Sequence, residues 1–253
     1  MKNAVYSGTR NLYADMVTAA KSLVANSSVD RVYFLIEDNE FPMELPDIIT
    51  CMNVSNQGFF PKSGINMKTQ FTYMAMLRVC YTRLLPDVNK VLQLDVDTIC
   101  VDDVDALWKI NMNGSWVAMV EEKLSTYKPY GPLYYNAGVA MFDLEAMRRT
   151  KVDEELIRFL NTVKVPYVDQ DAVNRIARRV IELEPRYNES FVTAYTETPA
   201  IVHFAGHKNW QNSIRVPRRE YVKKYREMSW DEVMSLHEEK VRSNENSDSS
   251  TNV

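Results

Sequence analysis

The sequence predicts an α/β protein: a single Rossmann-like domain with a mostly parallel, mixed central sheet and a C-terminal helical extension. Three observations predict it. Strand-like and helix-like stretches alternate from Ala4 to Val101, an order that implies right-handed crossovers and parallel pairing. The run Lys90 to Val101, KVLQLDVDTICV, is too densely apolar for a half-exposed strand and suits a fully buried one. At 253 residues, 45% hydrophobic and 25% charged, the chain is long enough for one large α/β domain or two small ones and has an ordinary soluble composition.

The elements follow in order. Ala4 to Ser7 is a first strand, broken by Gly8. Tyr13 to Val24 is a helix whose apolar face carries Met16, Ala19, Ala20, Leu23 and Val24. Arg31 to Ile36 is a second strand. The acidic, proline-punctuated stretch Glu37 to Pro46 is loop. Ile48 to Val54 is a third strand, and Lys68 to Leu84 one long helix stopped by Pro86-Asp87. After the central strand come a short helix at Val104 to Lys109 and a strand at Trp116 to Val120. Glu121 to Tyr135 is aperiodic and holds Pro129, Gly131 and Pro132, so it is loop. Ala137 to Phe142 is a strand and Leu144 to Val163 a helix. A second helix spans Asp169 to Arg178, with Asp169 as its N-cap. Ile201 to Phe204 is a late strand and Arg218 to Lys240 a charged helix. The polar stretch from Ser243 to Val253 reads as disordered. The expected domains are 1–214 for the α/β unit, 215–242 for the helical extension and 243–253 for the tail.

Bulk properties narrow the function classes. The net charge of -4 argues against bulk nucleic-acid binding. No apolar run reaches the roughly 18 residues of a membrane span, and the start lacks a signal peptide's apolar region. Cys51, Cys80 and Cys100 form no CxxC pair, so reduced cysteines in a cytoplasmic protein are expected.

The chemistry begins where the central strand ends, at Asp95-Val96-Asp97. Burying an unpaired carboxylate costs several kcal/mol, so this pair belongs at a strand tip facing a cleft or a cation. Ligands of open α/β sheets bind just outside the strands' carboxyl ends. Two hard oxygen ligands suit Mg²⁺ or Mn²⁺, ions that commonly carry substrate phosphates. Four other stretches hold groups of the right kind. They are Tyr134 to Val139 (YYNAGV), Val168 to Asp171 (VDQD), Ile201 to Gly206 (IVHFAG) and Lys208-Asn209-Trp210.

From Ala4 to about Trp210 this ordered set resembles glycosyltransferase family 8, retaining nucleotide-sugar transferases with the GT-A fold. The resemblance implies that Asp95, Asp97 and His203 bind Mn²⁺, with Mg²⁺ as the alternative. It implies that Ser7, Gly8, Thr9 and Asn11 hold the uridine and ribose of the donor, and that Val96 is donor-binding. Arg78 falls where the family has an arginine contacting the donor's sugar or diphosphate, with Arg83 as the competing position. Asn136, Ala137 and Gly138 would border the donor sugar, Asp169 and Gln170 would lie near its anomeric carbon, and Gly206 and Lys208 would cover the diphosphate. Asn209 stands where the family usually has proline.

The implied activity is hexosyl transfer from UDP-glucose or UDP-galactose to a hydroxyl acceptor, a glycan being the leading class. Two other classes share parts of the pattern. A nucleotide-sugar-binding protein without turnover would keep the same fold. A haloacid-dehalogenase-like phosphatase would want Asp-x-Asp-x-Thr, whereas Thr98 follows Asp97 directly. The C-terminal segment carries Arg215, Arg218, Arg219, Lys223, Lys224 and Arg226. Glu220 and Glu227 dilute it, so it reads as a solvated face with at most weak peripheral membrane contact.

Overall fold

The computed structural model describes residues 1–69, 71–206 and 218–250. Strands β1 (Asn3–Ser7), β2 (Arg31–Ile36), β3 (Ile49–Asn53) and β4 (Lys90–Leu94) pair in parallel as β3-β2-β1-β4. Helix α1 (Tyr13–Ala25) makes the crossover from β1 to β2. Strand β7 (Tyr135–Asp143) then runs antiparallel beside β4 and beside β6 (Val117–Glu121). Short β8 (Ile181–Glu182) adds in parallel outside β6. The sheet thus has seven strands, mostly parallel, as expected.

Successive residues of a strand face opposite sides, and the two apolar clusters follow that period. Val5, Leu35, Val91, Met119, Ala140 and Phe142 pack on one face. Ala4, Tyr6, Phe34, Leu92, Leu94 and Met141 pack on the other, with α1. The first face is covered by α2 (Tyr73–Met76), α3 (Tyr81–Leu84), α5 (Leu144–Thr150), α6 (Val152–Thr162) and α7 (Val168–Ile176). Helix α4 (Ala106–Lys109) and the C-terminal helices α8 (Arg219–Glu227) and α9 (Trp230–Ser250) complete the chain.

Outside the main sheet, β5 (Thr98–Cys100) pairs antiparallel with β9 (Ile201–His203), placing Thr98 opposite His203. The stretch from Lys90 to Val101 is therefore two strands hinged at Asp95–Asp97. Helix α8 lays Val222 and Tyr225 against Ile99, Val202 and Phe204 of this ribbon. Its apolar side is consumed inside the molecule, leaving the charged side outward.

Several expected elements are divided. The helix predicted over Lys68 to Leu84 is α2, a 3₁₀ turn at Leu77–Cys80, and α3. The helix predicted over Leu144 to Val163 breaks at Lys151, which adopts the left-handed conformation with φ 54°. The C-terminal helix breaks at Met228-Ser229, where Ser229 and Glu232 form a reciprocal capping box. Helix α9 continues to Ser250, into the stretch expected to be disordered. Asn244 anchors it there by donating to Ser28 Oγ (2.9 Å) and to the Asp105 carboxylate. Asp169 is not an N-cap: it lies inside the first turn of α7, and Asp171 accepts the Tyr167 N–H instead.

Candidate active site

The site lies at the carboxyl end of β4, and the antiparallel partner β7 brings its own first residues to the same edge. Leu94 pairs with Val139, and the Asp95 N–H donates to the Gly138 carbonyl at 2.8 Å. Against β6 the register of β7 jumps from Ala140 to Asn136, leaving Ala137 to Val139 bulged. Side chains take over the freed amides. Ala137 N donates to Gln170 Oε1 (2.9 Å) and Gly138 N to Asn136 Oδ1 (2.9 Å).

Pairing of β5 with β9 delivers the third member. His203 is held by its N–H on the Glu189 carbonyl (2.8 Å), and Phe204 N donates to the Asp97 carbonyl (2.9 Å). The imidazole Nε2 then lies 3.6 Å from Asp95 Oδ2 and 3.4 Å from Asp97 Oδ1. Ligand atoms of Asp95, Asp97 and His203 all fall within 4.8 Å of one another. Gly138 makes room for the ring: a Cβ there would sit 2.0 Å from His203 Cε1.

Arg78, on the 3₁₀ turn, joins this group to the helix behind it. Its guanidinium donates to Asp95 Oδ1 through Nη2, and to Asp169 Oδ2 (2.9 Å) and the Ala137 carbonyl (3.4 Å) through Nη1. Arg83, the competing position, pairs with Asp153 at 3.0 Å and takes no part. Gln170, next to Asp169 on α7, donates to Glu122 Oε1 (3.0 Å), which also accepts from Asn136 Nδ2 (2.7 Å).

Burial and close charges shift the groups of the site in both directions. Burial pushes the Asp169 carboxyl up to about 6, with Arg78 opposing and Asp95 adding to the shift. Burial also raises Asp95, again against Arg78. Burial would raise Asp97 as well, but the His203 imidazole, backbone hydrogen bonding and Arg78 together hold it below the usual range. His203 is raised: burial lowers it, but the Asp97 and Asp95 carboxylates more than offset that. A cation placed among these groups would relieve carboxylate crowding. Two carboxylates and an imidazole are a donor set that fits a divalent ion such as Mn²⁺.

The remaining predicted residues sit along the same edge. Ser7 ends β1 and bonds the Met74 carbonyl (3.4 Å), and Gly8 follows it. A Cβ on Gly8 would lie 2.8 Å from Met16 Cε and 3.6 Å from Val96 Cγ1, so the first strand's end abuts the turn between the two aspartates. Thr9 Oγ1 donates to Asn11 Oδ1 at 2.7 Å. Gly206 follows β9 with φ +69°, a conformation that favours glycine. Lys208 and Arg215 lie outside the described residues.

Sequence reasoning did not single out Glu122 and Asn188. Glu122 sits in a stretch read only as loop. Asn188, fully buried in a 3₁₀ turn, bonds His203 Nδ1 through Oδ1 (2.8 Å) and Asn136 Oδ1 through Nδ2 (2.9 Å). No local pattern marks either; each is defined by a partner far along the chain.

Residues 3–213 match the family model "Glycosyl transferase family 8". The chain belongs to that family. Among curated relatives, General stress protein A of Bacillus subtilis is 28% identical over 184 residues, covering 60% of this chain and 64% of the relative. Lipopolysaccharide 1,2-glucosyltransferase of Escherichia coli is 25% identical over 166 residues, covering 54% and 48%. The chain thus spans less than two thirds of either relative.

Two solved structures show the shared fold. Galactosyltransferase LgtC, determined with donor and acceptor sugar analogs, superposes with a TM-score of 0.69 at 20% identity, covering 88% of this chain and 95% of that one. Glycosyltransferase GlyE of Streptococcus pneumoniae superposes at 0.70 with 20% identity, covering 96% and 64%. The architecture of this family 8 chain is therefore the GT-A type. Among the described residues no helix is long and apolar enough to cross a membrane.

Proposed function

We propose that the protein transfers a hexose, glucose or galactose, from a UDP-sugar to a hydroxyl acceptor, with retention at the anomeric carbon. The observation that carries this reading is the convergence of Asp95, Asp97 and His203 on one point, flanked by Arg78, Asp169 and Gln170. A glycan is the favoured acceptor class, in keeping with the lipopolysaccharide named for the Escherichia coli relative.

Asp95, Asp97 and His203 would hold Mn²⁺, or Mg²⁺ in its place. Bound there, the ion would neutralise charge on the departing diphosphate, usually the largest catalytic contribution in such a transfer. Ser7, Gly8, Thr9 and Asn11, at the neighbouring strand end, would receive the nucleoside, and Val96, between the two aspartates, would also contact the donor. Gly206 and Lys208 would close over the diphosphate, and Asn136, Ala137 and Gly138 would border the sugar.

Retention has two routes. Double displacement requires a carboxylate free to attack the anomeric carbon. Asp169 is 4% exposed and ion-paired with Arg78, while the Gln170 carbonyl oxygen is taken by the Ala137 N–H. These engagements favour front-face attack, with the acceptor proton passing to the leaving phosphate oxygen. Asp169 and Gln170 would then orient the sugar and stabilise its developing positive charge.

The test is a screen of UDP-sugars for hydrolysis and transfer with and without Mn²⁺. Asp95→Asn combined with Asp97→Asn is expected to lower the rate by at least about 10³-fold, some 4 kcal/mol of barrier. Undiminished turnover in the double variant sinks the reading. A glycosyl adduct trapped on Asp169 sinks the front-face route alone.

A further inference from the structure

The hydrogen bonds around His203 form a line with a fixed direction. It begins at Glu122, whose side chain is 5% exposed. A carboxylate can only accept, so the Asn136 group at 2.7 Å from Glu122 Oε1 is the amide nitrogen. The other end of that amide is therefore the oxygen. The Gly138 N–H, which can only donate, confirms this at 2.9 Å. Asn136 Oδ1 faces the Asn188 amide at 2.9 Å, so Asn188 presents its nitrogen to Asn136 and its oxygen to His203 Nδ1 at 2.8 Å. Each assignment forces the next, and the line ends by requiring a proton on Nδ1.

The same segment is held firmly from outside. Glu189 grips the main chain of β9 on both sides, through Glu189 N to the Ile201 carbonyl (2.9 Å) and His203 N to the Glu189 carbonyl (2.8 Å). Its own carboxylate is taken by Arg218 Nε at 2.6 Å and the Thr196 N–H at 2.9 Å. Arg218 also donates to the Thr196 carbonyl at 2.6 Å and stands immediately before α8. The helical extension thus fixes the turn that carries Asn188.

We infer that Asn188 is a positioning residue: it holds His203 as the Nδ1–H tautomer, so that Nε2 presents its lone pair to the space between Asp95 and Asp97. Neutral imidazole in water prefers the proton on Nε2, the opposite arrangement, so the selection is work done by the protein. A partner on the far nitrogen of a metal-binding histidine fixes both tautomer and ring plane, and its loss typically costs 10–100-fold in metal affinity. Because Glu122 also receives the Gln170 amide, one carboxylate sets the direction of the line and the pose of a residue on the sugar side.

This inference rests on His203 being a metal ligand, and the experiment separates the two. Histidine-¹⁵N-labelled protein, metal-free and at alkaline pH, is read by long-range ¹H–¹⁵N correlation. Mn²⁺ affinity is measured in parallel from the electron paramagnetic resonance of free Mn²⁺. Wild type is expected to carry the His203 proton on Nδ1. Asn188→Leu, similar in size but unable to accept, is expected to move the proton to Nε2 and weaken Mn²⁺ binding 10–100-fold. Asn188→Asp keeps an acceptor for Nδ1 but gives up the donor to Asn136, and is expected to return the proton to Nδ1. The wild-type tautomer decides the matter even if the leucine variant does not fold. A wild-type proton on Nε2, or a folded Asn188→Leu with unchanged tautomer and affinity, overturns the inference. Wild-type protein with no Mn²⁺ affinity removes the metal reading itself, whatever the tautomer.

Discussion

Two buried aspartates, Asp105 and Asp169, stand in similar seclusion and meet opposite fates. Asp105 accepts from Ser28 N (3.0 Å), Ser28 Oγ (2.7 Å), Asn244 and the Lys2 ammonium (3.1 Å). Burial alone would raise its carboxyl, but these donors hold it below the usual range. Asp169 shares its one arginine with Asp95 and is pushed up to about 6. The first carboxylate is fully served and ties the residue before β1 and the loop after α1 to α9. The second is left short of positive charge, at the edge where a cation and a sugar are expected. Satisfaction of a buried charge thus separates the part of the molecule that is finished from the part that awaits a ligand.

The sharpest way to break the contrast is to disturb the unfinished side. In Gly138→Ala the new Cβ would fall 2.0 Å from the imidazole, which Asn188 and the ribbon hold in place. Mn²⁺ affinity and transfer are both expected to drop about 10³-fold, near 4 kcal/mol, with a native circular dichroism spectrum. Asp105→Ala should do the reverse. Removing one partner of a buried pair costs about 3 to 4 kcal/mol, read from denaturant unfolding, with Mn²⁺ affinity unchanged.

The smallest effect has a size that depends on pH. Since Asp169 has a folded pKa of about 6 against an ordinary 3.8, the folded state keeps its proton longer than the unfolded chain. Its contribution to stability therefore falls as pH rises from about 4 to about 6 and is level above that. Relative to wild type, Asp169→Asn should gain about 2 to 3 kcal/mol across that window while losing transfer activity. A flat difference in Tm between pH 4 and pH 7 would show that Asp169 is as well served as Asp105.

Much of this architecture was legible in one dimension. The apolar run before Asp95 has no other comfortable home than a buried strand, and β2 is the apolar run VYFLI with Arg31 before it. The acidic pair at the strand tip was legible because carboxylates are costly inside. What escaped is tertiary. Nothing in LRVC signals a 3₁₀ turn, since no glycine or proline marks it; three of its residues are buried and Arg78 reaches two distant carboxylates. The break at Lys151 is a left-handed residue without glycine, foreshadowed only by the acidic first turn Asp153-Glu154-Glu155 that follows. The capping box Ser229-Trp230-Asp231-Glu232 was present as a pattern and marks the C-terminal break. Asn188 and Glu122 are polar residues in irregular stretches, and their roles exist only once β9 and the bulge of β7 are in place.

The ribbon of β5 and β9 has a consequence for biosynthesis. Every strand of the main sheet has been synthesised once Glu182 is made, yet the imidazole arrives with β9, about a hundred residues after the acidic pair at the tip of β4. A nascent chain can therefore hold its sheet strands while still lacking the third ligand, and the full set forms only once β9 has followed and paired with β5.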